Sequence, residues 1–258
     1  MNAKEFLTHR IRDFDASLRT NKKLRLLFYS SLRPFLRLFR IEESGNYLIP
    51  SSKSSLEKYR MLNRAKTLDF LFSSKFYEPE TTRYIKSFNG KTFLDIGSHI
   101  GRFVLLASNN FQKVCAIEPN SSNFSSLNKN ISYNKLNNVK TFNFAISDKP
   151  QEVFMSDFES NTGAIKISSS GKTKVKAIPL SAFMTEAKLS PNDIDLILMD
   201  VENAELEVLK GADTLLKSGH TKFIIESFKP EELTKLMNKY GYKKVKTLDY
   251  YNHVFIKN

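Results

Sequence analysis

The sequence predicts an α/β protein built around a mostly parallel β-sheet. Three observations carry this prediction: short apolar runs recur from residue 92 onward, helical stretches separate them, and the runs do not alternate with polar residues. Strands that are buried on both faces lose that alternation, and sheets of this kind are covered by helices on both faces. The five runs are TFLDIG, KVCAIEP, VKTFNFAIS, IDLILMD and KFIIES.

Two regions depart from the parallel pattern. Residues 151–179 are predicted to add strands around a Ser- and Gly-rich turn, and the tail YKKVKTLDYYNHVFIKN is predicted to form a closing hairpin. Because a hairpin joins strands that run in opposite directions, the last part of the sheet is expected to be antiparallel.

Composition bounds the class of protein. The chain has 258 residues, of which 41% are hydrophobic, enough for one large domain or for a core domain with an extension. Its one cysteine, Cys115, excludes an internal disulfide and lies in an apolar run, which favours a reducing compartment. The sequence shows neither an uncharged apolar run of about 18 residues that could span a bilayer nor the apolar block of a signal peptide. We therefore expect a cytoplasmic protein.

Positive charge is concentrated near the N-terminus. The net charge is +13, and residues 1–40 contribute ten basic and three acidic side chains, an excess of seven. The stretch KKLRLLFYSSLRPFLRLFR has apolar residues at helical spacing, which predicts a basic amphipathic helix or helix pair interrupted at Pro34. Such a helix could contact an anionic membrane at its inner surface, or its apolar side could cover the core domain or a second copy of the chain.

The change of pattern predicts two domains. A basic, mainly helical extension is expected over residues 1–76, and the α/β domain over residues 77–258. In the extension, the turn-rich residues 41–55 are expected to form a loop and residues 56–72 a helix, with a further helix in EPETTRYIKSF.

The first apolar run ends in a turn that contains Asp95, Gly97 and Gly101. Gly97 would let the main chain approach a ligand where a side chain would collide, and Gly101 would let the next helix pack closely on the strand. The spacing G-x-x-x-G lacks the third glycine of a dinucleotide fingerprint and the G-K-[ST] of a phosphate loop. The turn is therefore not expected to hold a diphosphate.

Two carboxylates at strand ends indicate what the turn could hold. Glu118 follows the second apolar run, where a carboxylate can accept both hydroxyls of a ribose, and Asp95 could meet an ammonium group. S-adenosylmethionine offers both groups and carries no phosphate, so these residues favour it as the cofactor. The alternative is structural: Asp95 would cap the following helix and Glu118 would be a solvated strand end.

Four segments resemble the FkbM family of S-adenosylmethionine-dependent methyltransferases. They are TFLDIGSHIGRF, VCAIEPN, TFNFAISD and, most specifically, IDLILMDVENAELEVLKGA. The resemblance extends over about residues 77–258. It implies a Rossmann-like class I methyltransferase fold, in which a mostly parallel seven-stranded sheet ends in an antiparallel C-terminal hairpin.

The resemblance also implies roles for particular residues. The methionine side of the cofactor would lie at Asp95, Gly97, Ser98 and His99, the ribose at Glu118, and the adenine at Pro119, Asn120 and Ala145. The family's acidic cluster falls on Asp200, Glu202 and Glu205.

Three positions depart from the family pattern. His99 stands where the family usually has Asn, Leu198 where it often has Lys, and Asn203 where it usually has Gly. His99 could contact the cofactor through its main chain alone. Because Asn tolerates left-handed backbone angles, Asn203 is expected to preserve the turn.

The candidate catalytic residues are Asp200, Glu202 and Glu226. Asp200 and Glu226 end the fourth and fifth core strands, so both are expected to face the crevice where a methyl acceptor would lie. A carboxylate there could take the proton of a hydroxyl as its oxygen attacks the methyl group. Asp200 and Glu226 could instead hold Mg²⁺, although a metal is not expected. For Glu202 and Glu205, the alternative is an acidic first turn that suits the dipole of the next helix.

The expected reaction is O-methylation. The N-P-P-[FY] signature of many amino-group methyltransferases is absent, and many members of the resembled family methylate sugar hydroxyls. The resemblance therefore implies a saccharide acceptor in a polysaccharide, a glycolipid or a glycosylated metabolite. An RNA 2′-O-methyltransferase and a non-catalytic cofactor-binding module are the alternatives. The sequence shows no aromatic-rich RNA-binding module, so no nucleic-acid partner is expected.

Overall fold

The computed structural model describes residues 41–44, 47–50, 59–64, 69, 72, 77–155, 167–168 and 173–257. The amphipathic helix predicted within residues 1–40 lies outside the described residues. Over the described part of the chain, no helix combines the length and the apolar character needed to cross a bilayer.

A seven-stranded sheet forms the centre of the domain, with the strand order β13-β14-β12-β11-β4-β5-β6. Neighbouring strands from β12 to β6 run parallel, whereas β14 pairs antiparallel with both β12 and β13. The predicted parallel sheet with an antiparallel C-terminal hairpin is therefore confirmed. The strands are β4 (Gly90–Ile96), β5 (Phe111–Ile117), β6 (Val139–Phe142), β11 (Ile194–Met199), β12 (Lys222–Glu226), β13 (Lys243–Leu248) and β14 (Asn252–Ile256).

Buried side chains on both faces of this sheet explain the continuous apolar runs. In β4, Leu94 and Ile96 join the core cluster on one face and Phe93 joins the cluster on the other, because successive side chains point to opposite faces. Helices cover both clusters. They are α1 (Pro79–Lys86), α2 (Arg102–Ala107), α3 (Ser121–Tyr133), α4 (Leu180–Ala187), α5 (Glu205–Lys210), α6 (Asp213–Ser218) and α7 (Pro230–Lys239).

A second sheet of four strands has the order β7-β10-β8-β9. It contains β7 (Ala145–Ser147), β8 (Gln151–Met155), β9 (Ile167–Ser168) and β10 (Thr173–Pro179), which confirms the extra strands predicted within residues 151–179. The run VKTFNFAIS is not one strand, however, because β6 ends at Phe142 and β7 pairs with β10. An apolar run cannot show where the chain changes sheets when both strands are buried.

The extension differs from the prediction where the structure describes it. The loop expected over residues 41–55 is wrong, because β1 (Ile41–Ser44) and β2 (Tyr47–Pro50) form an antiparallel pair. The sequence between them is Gly-Asn, a two-residue hairpin signal that the turn-rich composition conceals. The helix expected over residues 56–72 is also wrong within 59–64, where β3 (Asn63–Arg64) pairs with β2.

Hydrogen bonds to α3 explain why residues 59–64 are not helical. Leu62 N donates to Asn130 Oδ1 at 2.6 Å, and Asn134 Nδ2 donates to Arg60 O at 2.7 Å. The main chain of this segment thus bonds to side chains about 70 residues away in sequence, which local periodicity cannot predict. The helix predicted in EPETTRYIKSF is confirmed as α1.

The start of α1 is attached to the carboxyl edge of the large sheet. Asp249, in the turn between β13 and β14, accepts hydrogen bonds from Glu80 N at 3.1 Å and Thr81 N at 2.7 Å. These bonds satisfy main-chain donors that the helix itself leaves without partners. Arg102, only 3% exposed, donates to Tyr77 O at 2.8 Å and Thr82 Oγ1 at 3.0 Å.

Candidate active site

Four acidic side chains and one glycine meet at the carboxyl edge of the parallel strands. The strand register pairs Ile96 with both Ile117 and Met199, and Met199 with Ile225. The residues that follow these positions therefore lie side by side, with neighbouring strands about 5 Å apart. In order across the sheet they are Glu118, Gly97, Asp200 and Glu226, and Asp95 lies two residues before Gly97.

Gly97 allows the ends of β4 and β11 to touch. Its φ is +92°, and a Cβ at this position would lie 1.8 Å from the main-chain oxygen of Asp200. Asp200 N donates to Ile96 O at 2.9 Å, which fixes the contact. The structure thus shows why a glycine is needed at position 97, a reason that the sequence did not reveal. The contact of Gly97 with a cofactor stays a prediction.

A glycine is also needed at position 101, but the element that packs against it is not the expected one. Its φ is +95°, and an added Cβ would lie 2.6 Å from Leu127 Cδ1 on α3. The close approach is therefore between the start of α2 and α3, rather than between α2 and the strand that precedes it.

Glu118 is buried and accepts hydrogen bonds from two main-chain groups. Its Oε2 accepts from His99 N and its Oε1 from Asn120 N, both at 2.8 Å. Glu118 is only 5% exposed, so the alternative that it is a solvated strand end is wrong. Burial raises the pKa of Glu118 to about 7, although these hydrogen bonds act in the opposite direction. Asn123 Nδ2 makes a third, longer bond to Oε1 at 3.5 Å, so of the about four acceptor positions of a carboxylate the one that remains for a hydroxyl is on Oε2.

Asp95 lies beside Glu118 in an equally buried position. It is 2% exposed, and burial, followed by the charges of Glu118 and Glu78, raises its pKa well above the usual value. Asp95 does not cap α2, whose N-cap residue is Gly101 and has no side-chain cap. The structural alternative for Asp95 is therefore wrong as well. Two neighbouring acids are held where ionisation is unfavourable.

The main-chain donors of the turn are already in use. Gly97 N and Ser98 N both donate to Ile117 O, at 2.9 and 3.0 Å, and His99 N donates to Glu118. Ser98 Oγ donates to Asp95 O at 2.9 Å. The N–H groups of Gly97, Ser98 and His99 are thus bonded within the protein and do not form a set of free donors of the kind that binds a phosphate.

An ion pair that sequence analysis missed lies against His99. Asp69, 1% exposed, is bonded to Arg64 through Nε at 2.5 Å and through Nη2 at 3.1 Å. His99 Nε2 lies 4.0 Å from Asp69, and its ring packs edge-on against Phe72 with centroids 4.7 Å apart. Burial lowers the pKa of His99 to about 4 despite the charge of Asp69, so the imidazole is neutral at pH 7. Arg64 Nη2 also donates to Asn123 at 3.0 Å.

No sequence signal identified Arg64 or Asp69, because both fall in a stretch that was expected to be helical. Asn143 was missed as well: its Nδ2 donates to Glu118 O at 2.8 Å and to Pro119 O at 3.1 Å. Asparagines next to a strand end are common turn residues, so the sequence offers no reason to single this one out.

The three residues predicted to contact adenine lie in two places. Pro119 and Asn120 form the turn after β5, where Asn120 Oδ1 accepts from Asn123 N at 3.0 Å and caps α3. Ala145 lies in β7, where it packs in a small cluster with Val153, Met155, Val175 and Ala177. The adenine contacts of all three stay predictions.

The acidic turn after β11 contains residues of two kinds: Asn203 and Glu205 hold its shape, and Asp200 and Glu202 are candidate catalytic residues. Glu202 and Asn203 have φ values of +53° and +78°, so the left-handed turn expected at Asn203 is confirmed. Glu205 is 7% exposed and accepts from Asn203 N at 2.8 Å, in the first turn of α5. Glu205 thus lies in the first turn of the helix, as its structural alternative expected, and it also holds the preceding turn through this hydrogen bond, which the sequence did not predict. Among the described residues, no group of three or more His, Cys, Asp or Glu side chains could hold a metal ion.

The sheet order and the acidic edge define a class I methyltransferase domain, and comparison with known proteins gives its family. The profile of the methyltransferase FkbM domain matches residues 95–244. This match covers more than half of the chain, so the protein belongs to the FkbM methyltransferase family. No curated protein is similar to the chain at a significant level.

Solved structures are similar to parts of this chain at low identity. An FkbM methyltransferase from Methylobacillus flagellatus KT is 17% identical over 74% of this chain and 53% of that one, with a TM-score of 0.45. The chain thus spans about half the length of that protein. The tRNA (uracil-54, C5)-methyltransferase of Pyrococcus abyssi, solved with S-adenosyl-L-homocysteine, is 13% identical over 83% of this chain and 44% of that one, with a TM-score of 0.47. These likenesses do not bear on the substrate.

Replacement of Gly97 by Ala should destabilise the protein far more than the same change at Gly219. At Gly97, the left-handed angle costs about 1–2 kcal/mol and the collision with Asp200 adds a similar amount, so we expect a loss of about 3 kcal/mol or more. At Gly219, φ is also positive (+76°), but the nearest atom is Cδ of the flexible Lys257 side chain at 2.9 Å. We expect a loss of about 1–2 kcal/mol there. Equal losses of unfolding free energy in urea would contradict this account.

The pKa of Glu118 should give the protein a distinctive pH dependence of stability. This pKa is raised from 4.5 to about 7, so the folded state binds more protons than the unfolded state between these values. Stability should therefore fall as the pH rises from about 4.5 to 7, by on the order of 3 kcal/mol from Glu118 alone. Urea unfolding at pH 5 and pH 8 should show a smaller fall for Glu118→Gln. The exposed Glu152→Gln is the control, and an unchanged fall in the Glu118 variant would contradict the assignment.

Proposed function

We propose that this methyltransferase uses S-adenosylmethionine to methylate a hydroxyl of a sugar in a polysaccharide, a glycolipid or a glycosylated metabolite. The observation that carries the proposal is the row of acids at one edge of the sheet. Two of them, Asp95 and Glu118, are buried together, and two more, Asp200 and Glu226, follow on the neighbouring strands.

The buried pair fits the proposed cofactor. Burial raises the pKa of both Asp95 and Glu118, so a ligand that brings positive charge and hydroxyl donors would stabilise their ionised forms. When bound, S-adenosylmethionine would supply a methyl group on a positively charged sulfur. Glu118 would accept a ribose hydroxyl at the remaining position on Oε2, while His99 N, Asn120 N and Asn123 Nδ2 keep its carboxylate in place.

Asp200 is the proposed general base. It lies next to Gly97 on the side away from Glu118, and it is half-buried, so part of the residue is accessible from outside. Asp200 would take the proton of the acceptor hydroxyl, and Glu226 and Glu202 would orient the sugar by accepting hydrogen bonds from its other hydroxyls. Alignment of the hydroxyl would supply much of the rate.

The charge of the site favours a sugar over RNA. Asp200 and the buried Glu226 lie at the carboxyl edge, Glu78 and Asp249 lie there near the buried Arg102, and Lys229 is an exposed basic residue. A neutral saccharide can donate hydrogen bonds to such carboxylates, whereas an RNA backbone would be repelled by them. Asp200 and Glu226 also argue against a non-catalytic module, because a module that only binds the cofactor would not need acids on the acceptor side of Gly97.

Replacement of Asp200 by Asn should lower turnover at least 100-fold without weakening cofactor binding, because a positioned general base typically contributes about 10²–10⁴ in rate. Calorimetry would measure the affinity for S-adenosylmethionine, and mass spectrometry of treated glycan and glycolipid extracts would measure the gain of methyl groups. Glu207→Gln, an exposed change on α5, is the control. Undiminished turnover in the Asp200 variant would remove this residue from the mechanism, and absence of a binding heat would refute the cofactor.

We also propose that the enzyme acts in the cytoplasm and that its basic N-terminal residues contact anionic membranes, where a lipid-linked glycan would be within reach. The excess of seven positive charges in residues 1–40 supports this. Co-sedimentation with phosphatidylglycerol vesicles should be strong for the full chain, should weaken as salt is raised, and should be lost when residues 1–40 are removed. Equal sedimentation of the two proteins would contradict the proposal, and the apolar side of this segment would then be expected to cover the domain or a second subunit.

A further inference from the structure

Three aromatic side chains are exposed together at the edge of the candidate active site. Among the described residues, five large hydrophobic side chains are exposed, and three of them are Phe228 (53%), Tyr250 (66%) and Tyr251 (41%). Phe228 follows β12, and the two tyrosines form the turn between β13 and β14. Exposed apolar groups that cluster in this way are typical of binding surfaces rather than of an ordinary protein exterior.

The position of Phe228 and Tyr251 is fixed by their surroundings. Their ring centroids are 4.6 Å apart with the planes inclined by 46°, and Ser227 N donates to Tyr251 O at 3.0 Å. The turn that contains Tyr251 is also held to α1 by hydrogen bonds that Asp249 accepts. The two rings therefore form a small surface that is already in place before a ligand binds, which lowers the entropy cost of binding.

This surface adjoins the proposed catalytic acids. Glu226 pairs with Asn252 in the strand register, so Phe228 and Tyr251 lie just beyond Glu226 at the same edge of the sheet. Asp200 follows the next strand, about 5 Å to the side. The aromatic pair thus lies at the same edge as the two proposed acceptor-binding acids, Glu226, which is 8% exposed, and the half-buried Asp200.

We propose that Phe228 and Tyr251 form the acceptor subsite, which binds the flat face of a sugar ring and presents one of its hydroxyls to Asp200. This inference rests on the proposed function and assigns its acceptor a place in the structure. The C–H groups on one face of a pyranose carry partial positive charge, which matches the negative face of an aromatic ring. The hydroxyls at the ring's rim can donate to the adjoining carboxylates, and this combination of an apolar face with polar rim contacts is typical of small-ligand sites.

Aromatic rings also stack on nucleic-acid bases, so the charge of the surroundings decides between the two ligands. Glu226 and Asp249 flank the pair on its own elements, and Asp200 lies on the next strand. Lys229, next to Phe228, is an exposed basic residue, and the buried Arg102 lies near Asp249. A sugar meets hydrogen-bond acceptors here, whereas a phosphate backbone would meet negative charge.

The test measures binding of the full chain to a glycan array in the presence of S-adenosylhomocysteine. A parallel assay measures binding to U8, an RNA oligonucleotide of eight uridines. We expect wild type to bind a subset of glycans and not U8. Phe228→Leu and Tyr251→Leu should each lower the bound signal at least tenfold, because leucine keeps the apolar surface but removes the flat ring. Phe228→Tyr, which keeps a flat ring, should retain binding. Tyr133→Ala, an exposed aromatic at the far end of α3, should leave binding unchanged.

Calorimetry with S-adenosylhomocysteine on the same proteins separates this inference from the proposed function. The leucine variants should bind this ligand as wild type does, which also shows that they are folded. Glycan binding that is equal in wild type and the leucine variants would overturn the aromatic subsite and leave the proposed function intact. Absence of glycan binding by wild type, or binding of U8 that the leucine variants lose, would overturn the sugar assignment. A missing heat for wild type would refute the cofactor site and the inference with it.

Discussion

The two halves of the site are brought together by one contact, the approach of Gly97 to the main chain of Asp200. No side chain fits between them, since even a Cβ would lie 1.8 Å from the Asp200 oxygen. The ends of β4 and β11 can therefore leave the sheet in contact, with the proposed cofactor residues on one side and the candidate catalytic acids on the other. Methyl transfer needs the reacting atoms in close alignment, so the spacing set by this glycine underlies the chemistry that we propose.

Electrostatics gives the site its selectivity. Burial raises the pKa of Glu118 to about 7, and the charge of Glu118 then adds to the effect of burial on Asp95. The raised pKa values favour a ligand that carries positive charge and hydroxyl groups, because such a ligand stabilises the ionised carboxylates. The bonds from His99 N and Asn120 N fix the orientation of the Glu118 carboxylate.

The charge of the chain as a whole does not describe the charge of its site. The net charge is +13, yet the carboxyl edge of the sheet presents Asp200, Glu226 and Asp249 beside the exposed ring pair of Phe228 and Tyr251. The excess of positive charge is largely in residues 1–40. One chain therefore combines a basic segment suited to anionic surfaces with an acidic, aromatic edge suited to neutral polyhydroxyl ligands.

The sequence by itself determined the sheet, its closing hairpin and the location of Asp95, Glu118 and Asp200 at strand ends. It could do so because local patterns of apolar and polar residues indicate where strands end and turns begin. It also predicted the left-handed angle at Asn203, because asparagine tolerates this conformation better than most residues. Only the tertiary structure decided that β7 leaves the main sheet, that residues 59–64 bond to α3, and that Asp69 and Arg64 lie beside His99. These features join residues that are 30 to 70 positions apart, and such contacts depend on how whole elements pack, which no local periodicity encodes.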